Sequence, residues 1–175
     1  VASELVTLID DPTLEKGLLS RPFDAEGTPA ARTVVVEKGV FKTFLHNLET
    51  AKALGQRNTG HAARSYRGAL EVAPTNLYLE PVGNLRLTEG VVVTELMGLH
   101  AGANPVSLDF SVQALGLWVE EGEVRHAVEN FAVSGNLLEL LQAVEAVGDD
   151  LDWLLLHAAY GSPTVAVAEL SFAGA

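Results

Sequence analysis

Short runs rich in β-branched and aromatic residues, separated by turn residues, limit what this 175-residue chain can fold into. Residues 33–36 and 40–45 are two such runs, and the Glu-Lys-Gly segment between them is typical of a hairpin turn. Residues 110–119 and 124–133 form a second pair around a turn that contains Glu and Gly. Successive strands with short turns pair antiparallel. We therefore predict an α+β fold, mainly an antiparallel β-sheet or barrel-like domain, with about seven strands and two or three short helices.

Two helices are predicted from their capping signals. Asn47 can cap a helix over Leu48–Leu54, which Gly55 would end. Asn136 and Glu139 form a capping-box pattern for a second helix, which would run to about residue 147. The remaining predictions are a helical turn over 85–89, loops over 55–76 and 149–163, and strands over 4–9, 76–80, 91–96 and 164–170. Because no linker or repeat divides the chain, we predict one domain over residues 1–175.

A polar, Gly-rich segment over residues 96–111 joins two predicted strands. Gly permits unusual backbone conformations, Asn-Pro favours a turn, and loops of this kind carry binding groups on a rigid scaffold. We predict a substrate-binding or assembly loop with six candidate residues: Gly98, His100, Gly102, Asn104, Ser107 and Asp109. His100 could hydrogen-bond a substrate backbone, carry a proton or brace the loop. A long ordered connection without a ligand is the alternative.

Charge and cysteine content exclude several classes of function. The chain has 23 acidic and 11 basic residues, a net charge of −12 and no Lys/Arg run, which argues against direct binding of nucleic acid. It has no cysteine, so disulfides and thiolate metal ligands are excluded and we expect a cytoplasmic protein. No apolar run reaches the roughly 18 residues of a membrane span, which predicts no membrane partner. The chain begins without Met inside an apparent strand, so we expect a fragment of a longer protein.

The common catalytic motifs are absent from the sequence. It contains no His-Glu-x-x-His metal motif, no phosphate-binding loop and no Gly-x-Ser-x-Gly nucleophile motif. His126 and Glu129 lie three residues apart on a predicted strand and would point to opposite faces. A self-sufficient metallohydrolase would need ligands such as His100, Asp109 and His157 to converge, because a catalytic zinc normally has three protein ligands. The residues alone predict no catalytic residue and no metal ligand in this chain.

An ordered set of short motifs resembles a known family. Residues 93–107, Val-Thr-Glu-Leu-Met-Gly-Leu-His-Ala-Gly-Ala-Asn-Pro-Val-Ser, resemble the central motif of the PmbA/TldE branch of the TldD/PmbA family, often called modulators of DNA gyrase. Stretches at 8–14, 24–29, 39–44, 75–78, 129–137 and 147–151 follow in the family's order. Together they cover nearly the whole chain, which resembles the C-terminal half of a PmbA/TldE-type subunit.

The resemblance implies a subunit of a two-part metallopeptidase. TldD-type and PmbA/TldE-type subunits of the family pair as a heterodimer that clips extended or unfolded peptides. The TldD-type subunit carries a His-Glu-x-x-x-His metal helix and a C-terminal Cys ligand, so zinc is expected in that partner. In this chain the Cys would fall within residues 153–162 and none is present, which implies the non-catalytic type. The expected partners are a TldD-type subunit or further copies of this chain, and an extended peptide.

The resemblance also leaves alternatives open. The family usually has Gly after Asn-Pro-Val-Ser, where this chain has Leu108, whose side chain could block a backbone approach or fill an apolar pocket. The self-sufficient metallohydrolase is the second hypothesis. The family's older name allows a third hypothesis, a gyrase-modulating protein-interaction module.

Overall fold

The computed structural model describes residues 1–174, which form fourteen strands and three helices. Their bounds, in chain order, are β1 Leu8–Asp10, β2 Thr33–Glu37, β3 Val40–Phe41, α1 Leu48–Leu54, β4 Ala62–Ala63, β5 Glu71–Val72, β6 Asn76–Leu79, β7 Glu89–Met97, α2 Leu99–Gly102, β8 Asp109–Glu120, β9 Glu123–Asn136, α3 Leu137–Gln142, β10 Val144–Val147, β11 Asp152–Leu155, β12 Ala159–Ser162, β13 Val165–Val167 and β14 Ser171–Ala173.

The larger sheet has six strands in the order β11-β12-β6-β1-β2-β3. Its neighbouring strands are antiparallel except β12 and β6, which run parallel. β1 lies inside this sheet, and its Ile9 is fully buried. Val36 and Leu79 of the sheet pack with Val144 and Val147 of β10 in the first hydrophobic cluster. β10 and its antiparallel partner β13 therefore complete the core of the six-stranded sheet.

A second sheet of four strands, in the order β14-β9-β8-β7, is built on the long β8–β9 hairpin. Glu121 and Gly122 at the tip have φ angles of +55° and +77°, the left-handed pair that a two-residue type I′ turn needs. Ala114, Phe131 and Val133 form a second hydrophobic cluster, which shares no residue with the first. The β7–β8 loop lies at the opposite end of β8 from this tip.

Several predictions that rest on turn and capping residues are confirmed. α1 spans the predicted residues, the Asn47 side chain accepts the Thr50 N–H at 2.8 Å, and Gly55 ends the helix with a φ of +62°. Both predicted hairpins are present, as β2–β3 and β8–β9. The α+β class with mainly antiparallel strands is confirmed, and the sheets within residues 1–174 are open. In the same residues, no helix has both the length and the apolar character that crossing a bilayer requires.

Several predicted boundaries are wrong, and tertiary contacts explain why. α3 ends at Gln142 rather than near residue 147, because Val144 and Val147 are buried in a strand that pairs with β13. The predicted loop over 149–163 contains β11 and β12, and the one over 55–76 contains β4 and β5. Residues 85–89 form no helical turn, and β1 begins later than predicted. Apolar spacing alone does not separate a short helix from a short strand.

Candidate functional site

The loop between β7 and β8, residues 98–108, contains two glycines with different roles. Gly98 begins α2 with a φ of +77°, a conformation that costs other residues about 1–2 kcal/mol. Gly102 is required for space, because an added Cβ would overlap the carbonyl oxygen of Ser111. α2 therefore lies directly against β8.

Asn104 organises the second half of the loop. Its Oδ1 accepts hydrogen bonds from the backbone N–H groups of Val106 at 2.9 Å and Ser107 at 3.2 Å. Its own N–H donates to the Asp109 carbonyl at 2.9 Å, and its carbonyl accepts the Leu108 N–H at 2.8 Å. These bonds close an Asx-type turn, the role that Asn commonly has in loops. The Oδ1 atom of Asn104 is thus used to brace the loop.

Asp109 and Ser107 are joined to the next element by Asn136. The Nδ2 of Asn136 donates to the Ser107 carbonyl and to Asp109 Oδ1, both at 2.9 Å, while its Oδ1 accepts the Leu138 N–H at 3.0 Å. Asn136 therefore caps α3, as predicted, but through the Leu138 N–H and without the predicted capping box with Glu139, and it also fixes the loop. Hydrogen bonds from Asn136 and then from Ser107 hold the pKa of Asp109 below its usual value of 3.8.

We expect an Asn136→Ser variant to raise the pKa of Asp109 toward 3.8, because serine keeps a helix cap but removes the amide donor. A lowered pKa in the folded state means that the charged Asp109 favours folding above the pKa of the unfolded chain. This contribution is lost as the pH falls below 3.8 through the lower folded pKa. An NMR titration of the Asp109 carboxyl carbon measures the change. An unchanged pKa in the variant would contradict the assigned hydrogen bond.

The apolar side chains of the same region point into solvent. Val106 is 90% exposed, Leu99 is 50% exposed and Leu96, at the end of β7, is 44% exposed. Leu108 has a φ of +66°, the left-handed conformation that glycine adopts without strain. The family resemblance leads one to expect glycine at this position. The left-handed backbone gives a physical reason for that expectation. The loop therefore uses Asn104, Ser107 and Asp109 internally and presents its apolar groups and His100 outward.

The proposed metal ligands do not converge. His100 is exposed on α2, Asp109 is bonded to Asn136, and His157 Nε2 lies 2.5 Å from the hydroxyl oxygen of Tyr160. Within residues 1–174, no group of three or more His, Asp or Glu side chains is arranged to hold a metal ion. The residues that the structure describes therefore do not fit a catalytic metal.

A buried polar network is centred on Asp10 of β1, and no local pattern in the sequence indicates it. Asp10 and His61 are both fully buried, with His61 Nε2 2.8 Å from Asp10 Oδ1. Thr75 donates its hydroxyl to Asp10 Oδ1 at 2.5 Å and its N–H to Asp10 Oδ2 at 2.7 Å. Because a carboxylate only accepts, His61 carries a proton on Nε2. The network is missed in the sequence because its partners are 51 and 65 residues apart.

The network continues on both sides of the Asp10–His61 pair. His61 Nδ1 lies 2.9 Å from Thr59 Oγ1, and the Thr59 hydroxyl also accepts the N–H of His46 at 2.6 Å. On the other side, burial and then the negative charge of Asp10 raise the pKa of Tyr160 above 10.0. Asp10 of β1 is thus connected through His61 and Thr59 to His46, which lies before α1. Its charge also acts on Tyr160 in β12.

Comparison with known proteins gives consistent matches. Residues 1–174 match the family described as the PmbA/TldA metallopeptidase C-terminal domain. The metalloprotease PmbA of Escherichia coli O157:H7 is 33% identical over 154 residues, which are 87% of this chain and 33% of that protein. A metalloprotease of Methanothermobacter thermautotrophicus is 37% identical over 157 residues, 86% of this chain and 34% of that protein. The chain therefore spans about a third of the length of these relatives.

Solved structures agree with the sequence matches. TldE from Thermococcus kodakarensis is 29% identical and superposes with a TM-score of 0.87 over 99% of this chain and 40% of that one. A Thermotoga maritima protein, named as a candidate modulator of a DNA gyrase, is 41% identical with a TM-score of 0.85 over 98% of this chain and 40% of that one. The chain belongs to the PmbA/TldD family, and its residues 1–174 match the C-terminal domain of that family's metallopeptidases.

Proposed function

We propose that this chain is part of a non-catalytic PmbA/TldE-type subunit, which pairs with a TldD-type metallopeptidase and helps it to process extended or unfolded peptides. The zinc would lie in the TldD-type partner. The likeness to a protein named TldE supports this assignment. So does the segment over 153–162, where the family resemblance places a Cys ligand and this chain instead has the hydrogen-bonded pair of His157 and Tyr160.

The observation that carries the pairing is the apolar surface of the β7–β8 loop. Val106 and Leu99 are exposed, yet the loop beneath them is held in place by the Asn104 and Asn136 hydrogen bonds. A rigid loop that exposes large apolar groups loses little conformational entropy on binding, which suits a protein interface. We therefore assign this loop to contact with the TldD-type subunit.

Peptide capture has support in the edges of the six-stranded sheet. β3 and β11 are its outer strands, and each pairs on one side only within residues 1–174. An extended peptide can add to such an edge through main-chain hydrogen bonds. We also propose a cytoplasmic location, because a chain without cysteine suits a reducing compartment. Cell fractionation checks the location.

We expect Val106→Asp to weaken binding of the full-length subunit to a TldD-type partner about tenfold or more, because the interface would bury an unpaired charge. Cleavage of an unfolded peptide by the mixture should fall in parallel. Val124→Asp is the matched control, because Val124 is also exposed, at 59%, but lies at the far tip of the β8–β9 hairpin. Titration of the two purified subunits measures both affinities.

Three results would contradict the proposal. Equal affinity of the two variants for the TldD-type subunit would show that the loop is not part of the interface. A mixture that cleaves peptide no better than the TldD-type subunit alone would show that this subunit does not support cleavage. Self-association that Val106→Asp abolishes, without any binding to a TldD-type subunit, would assign the loop to a second copy of this chain.

A gyrase-modulating module is the second candidate function, because the Thermotoga maritima relative carries that name. The net charge of −12 argues for a protein contact rather than a DNA contact. Retention of gyrase on the immobilised full-length subunit at moderate salt would support this candidate, and loss of all gyrase at low salt would reject it.

A further inference from the structure

A surface cavity of about 490 Å³ lies on the six-stranded side of the molecule, away from the β7–β8 loop. Its walls come from the segment after β1, from β4 and β5 with their flanking residues, and from His157 before β12. None of its lining residues belongs to residues 98–108. The volume lies within the range of about 300–1,000 Å³ that is usual for small-molecule sites.

Arg21 brings unused hydrogen-bond donors to this cavity. Its Nε is the one buried side-chain nitrogen or oxygen atom in residues 1–174 without a hydrogen-bond partner. Its Nη2 makes a single long bond of 3.4 Å to the Gly60 carbonyl. A guanidinium has five N–H donors and no acceptor, so an oxyanion is its best complement. Because the buried Nε is closed to solvent, the Nη1 and Nη2 groups are the donors that can match the two oxygens of a carboxylate in the cavity.

The other charged groups at the cavity leave this guanidinium available. Neither Arg21 nor Arg64, the second arginine in the wall, forms an ion pair with an acid in the described residues. The Asp24 carboxylate is buried and accepts three backbone N–H groups, from residues 26, 28 and 62. Glu71 is exposed at the rim. The two arginines and two acids that line the cavity give it a formal charge of zero. A neutral cavity favours a singly charged ligand over doubly charged phosphate.

Apart from Ser65 and His157, the remaining wall is apolar. Ala25, Ala63 and Ala73 line the cavity, and Phe23 is 59% exposed beside them. A carboxylate held by the arginines could therefore lay its hydrocarbon part against this wall. We propose that the cavity binds the carboxylate of a small organic acid or of a peptide, with Arg21 as the bidentate donor and Arg64 as the supporting charge. The site is independent of the proposed subunit contact.

Calorimetric titration of the full-length protein with N-acetylalanine, its amide, butyrate and inorganic phosphate tests the site. N-acetylalanine should bind about tenfold or more tightly than its uncharged amide and more tightly than phosphate. Butyrate binding as well as N-acetylalanine would identify a small organic acid as the ligand, whereas weaker butyrate binding would identify a peptide carboxylate. Equal binding of acid and amide, or tighter binding of phosphate, would overturn the proposal.

Three variants separate this site from a general charge effect. Arg21→Lys keeps the charge but loses the planar fork, and it should weaken N-acetylalanine binding about tenfold. Glu71→Gln should strengthen binding several-fold, a change that partial unfolding cannot mimic. Arg86→Gln removes an exposed guanidinium outside the cavity and should leave binding unchanged. Equal weakening by Arg86→Gln and Arg21→Lys, or no strengthening by Glu71→Gln, would contradict the assignment.

Discussion

Replacing Asp10 by asparagine is expected to lower the free energy of unfolding by about 3–5 kcal/mol, because it disrupts three buried hydrogen bonds to one carboxylate, from His61 Nε2 and from the hydroxyl and N–H of Thr75. Asp10 and His61 have no solvent exposure, so neither water nor salt can compensate. An asparagine offers one oxygen in place of two, so its NH2 group would face the Thr75 N–H in one orientation and the His61 Nε2–H in the other, a donor against a donor in both. Urea denaturation, followed by far-UV circular dichroism, measures the loss.

Asp149→Asn is the matched control for this substitution. Asp149 is exposed beside the end of β10, so the same change of carboxylate to amide should alter stability by less than about 0.5 kcal/mol. A Thr75→Val variant removes only the hydroxyl that donates to Asp10 Oδ1 and should give an intermediate loss of about 1–3 kcal/mol. An Asp10→Asn protein as stable as Asp149→Asn would show that the network contributes nothing to the fold.

Phe131→Ala is expected to destabilise the four-stranded sheet by about 3–5 kcal/mol, the usual cost of truncating a buried aromatic side chain. Phe131 is 4% exposed and packs in the second cluster with Ala114 and Val133. Since the two hydrophobic clusters share no residue, amide exchange should accelerate in β7, β8 and β9 more than in β1 and β6.

Phe172→Ala is the comparison variant, because Phe172 is the aromatic neighbour of Phe131. Phe172 of β14 lies with its ring centroid 5.6 Å from that of Phe131, but it is 47% exposed. Its truncation should cost about 1 kcal/mol, because half of the side chain is already in water. If both variants lost the same stability, or if exchange accelerated equally in both sheets, the second cluster would not be an independent core.

The candidate loop shows how far local reasoning extends. The positions of Gly98, Asn104 and the Pro that follows it predict a turn-rich loop, and the structure contains one. Sequence spacing did not show that Asn136, predicted as a helix cap, also holds Ser107 and Asp109 from 27 or more residues away. Asn104, Ser107 and Asp109 thus have internal partners, whereas His100 is exposed. The exposed apolar residues became the stronger indication of function.

Sequence alone determined the hairpins, α1 and the family, because turn residues, capping side chains and ordered motifs act within a few positions of each other. Tertiary structure decided the rest. Val144 and Val147 fit a helical pattern as well as a strand, and only pairing with β13 made them a strand. Asp10 met His61 and Thr75 because sheet pairing closes loops of more than fifty residues, and no local signal encodes such a contact.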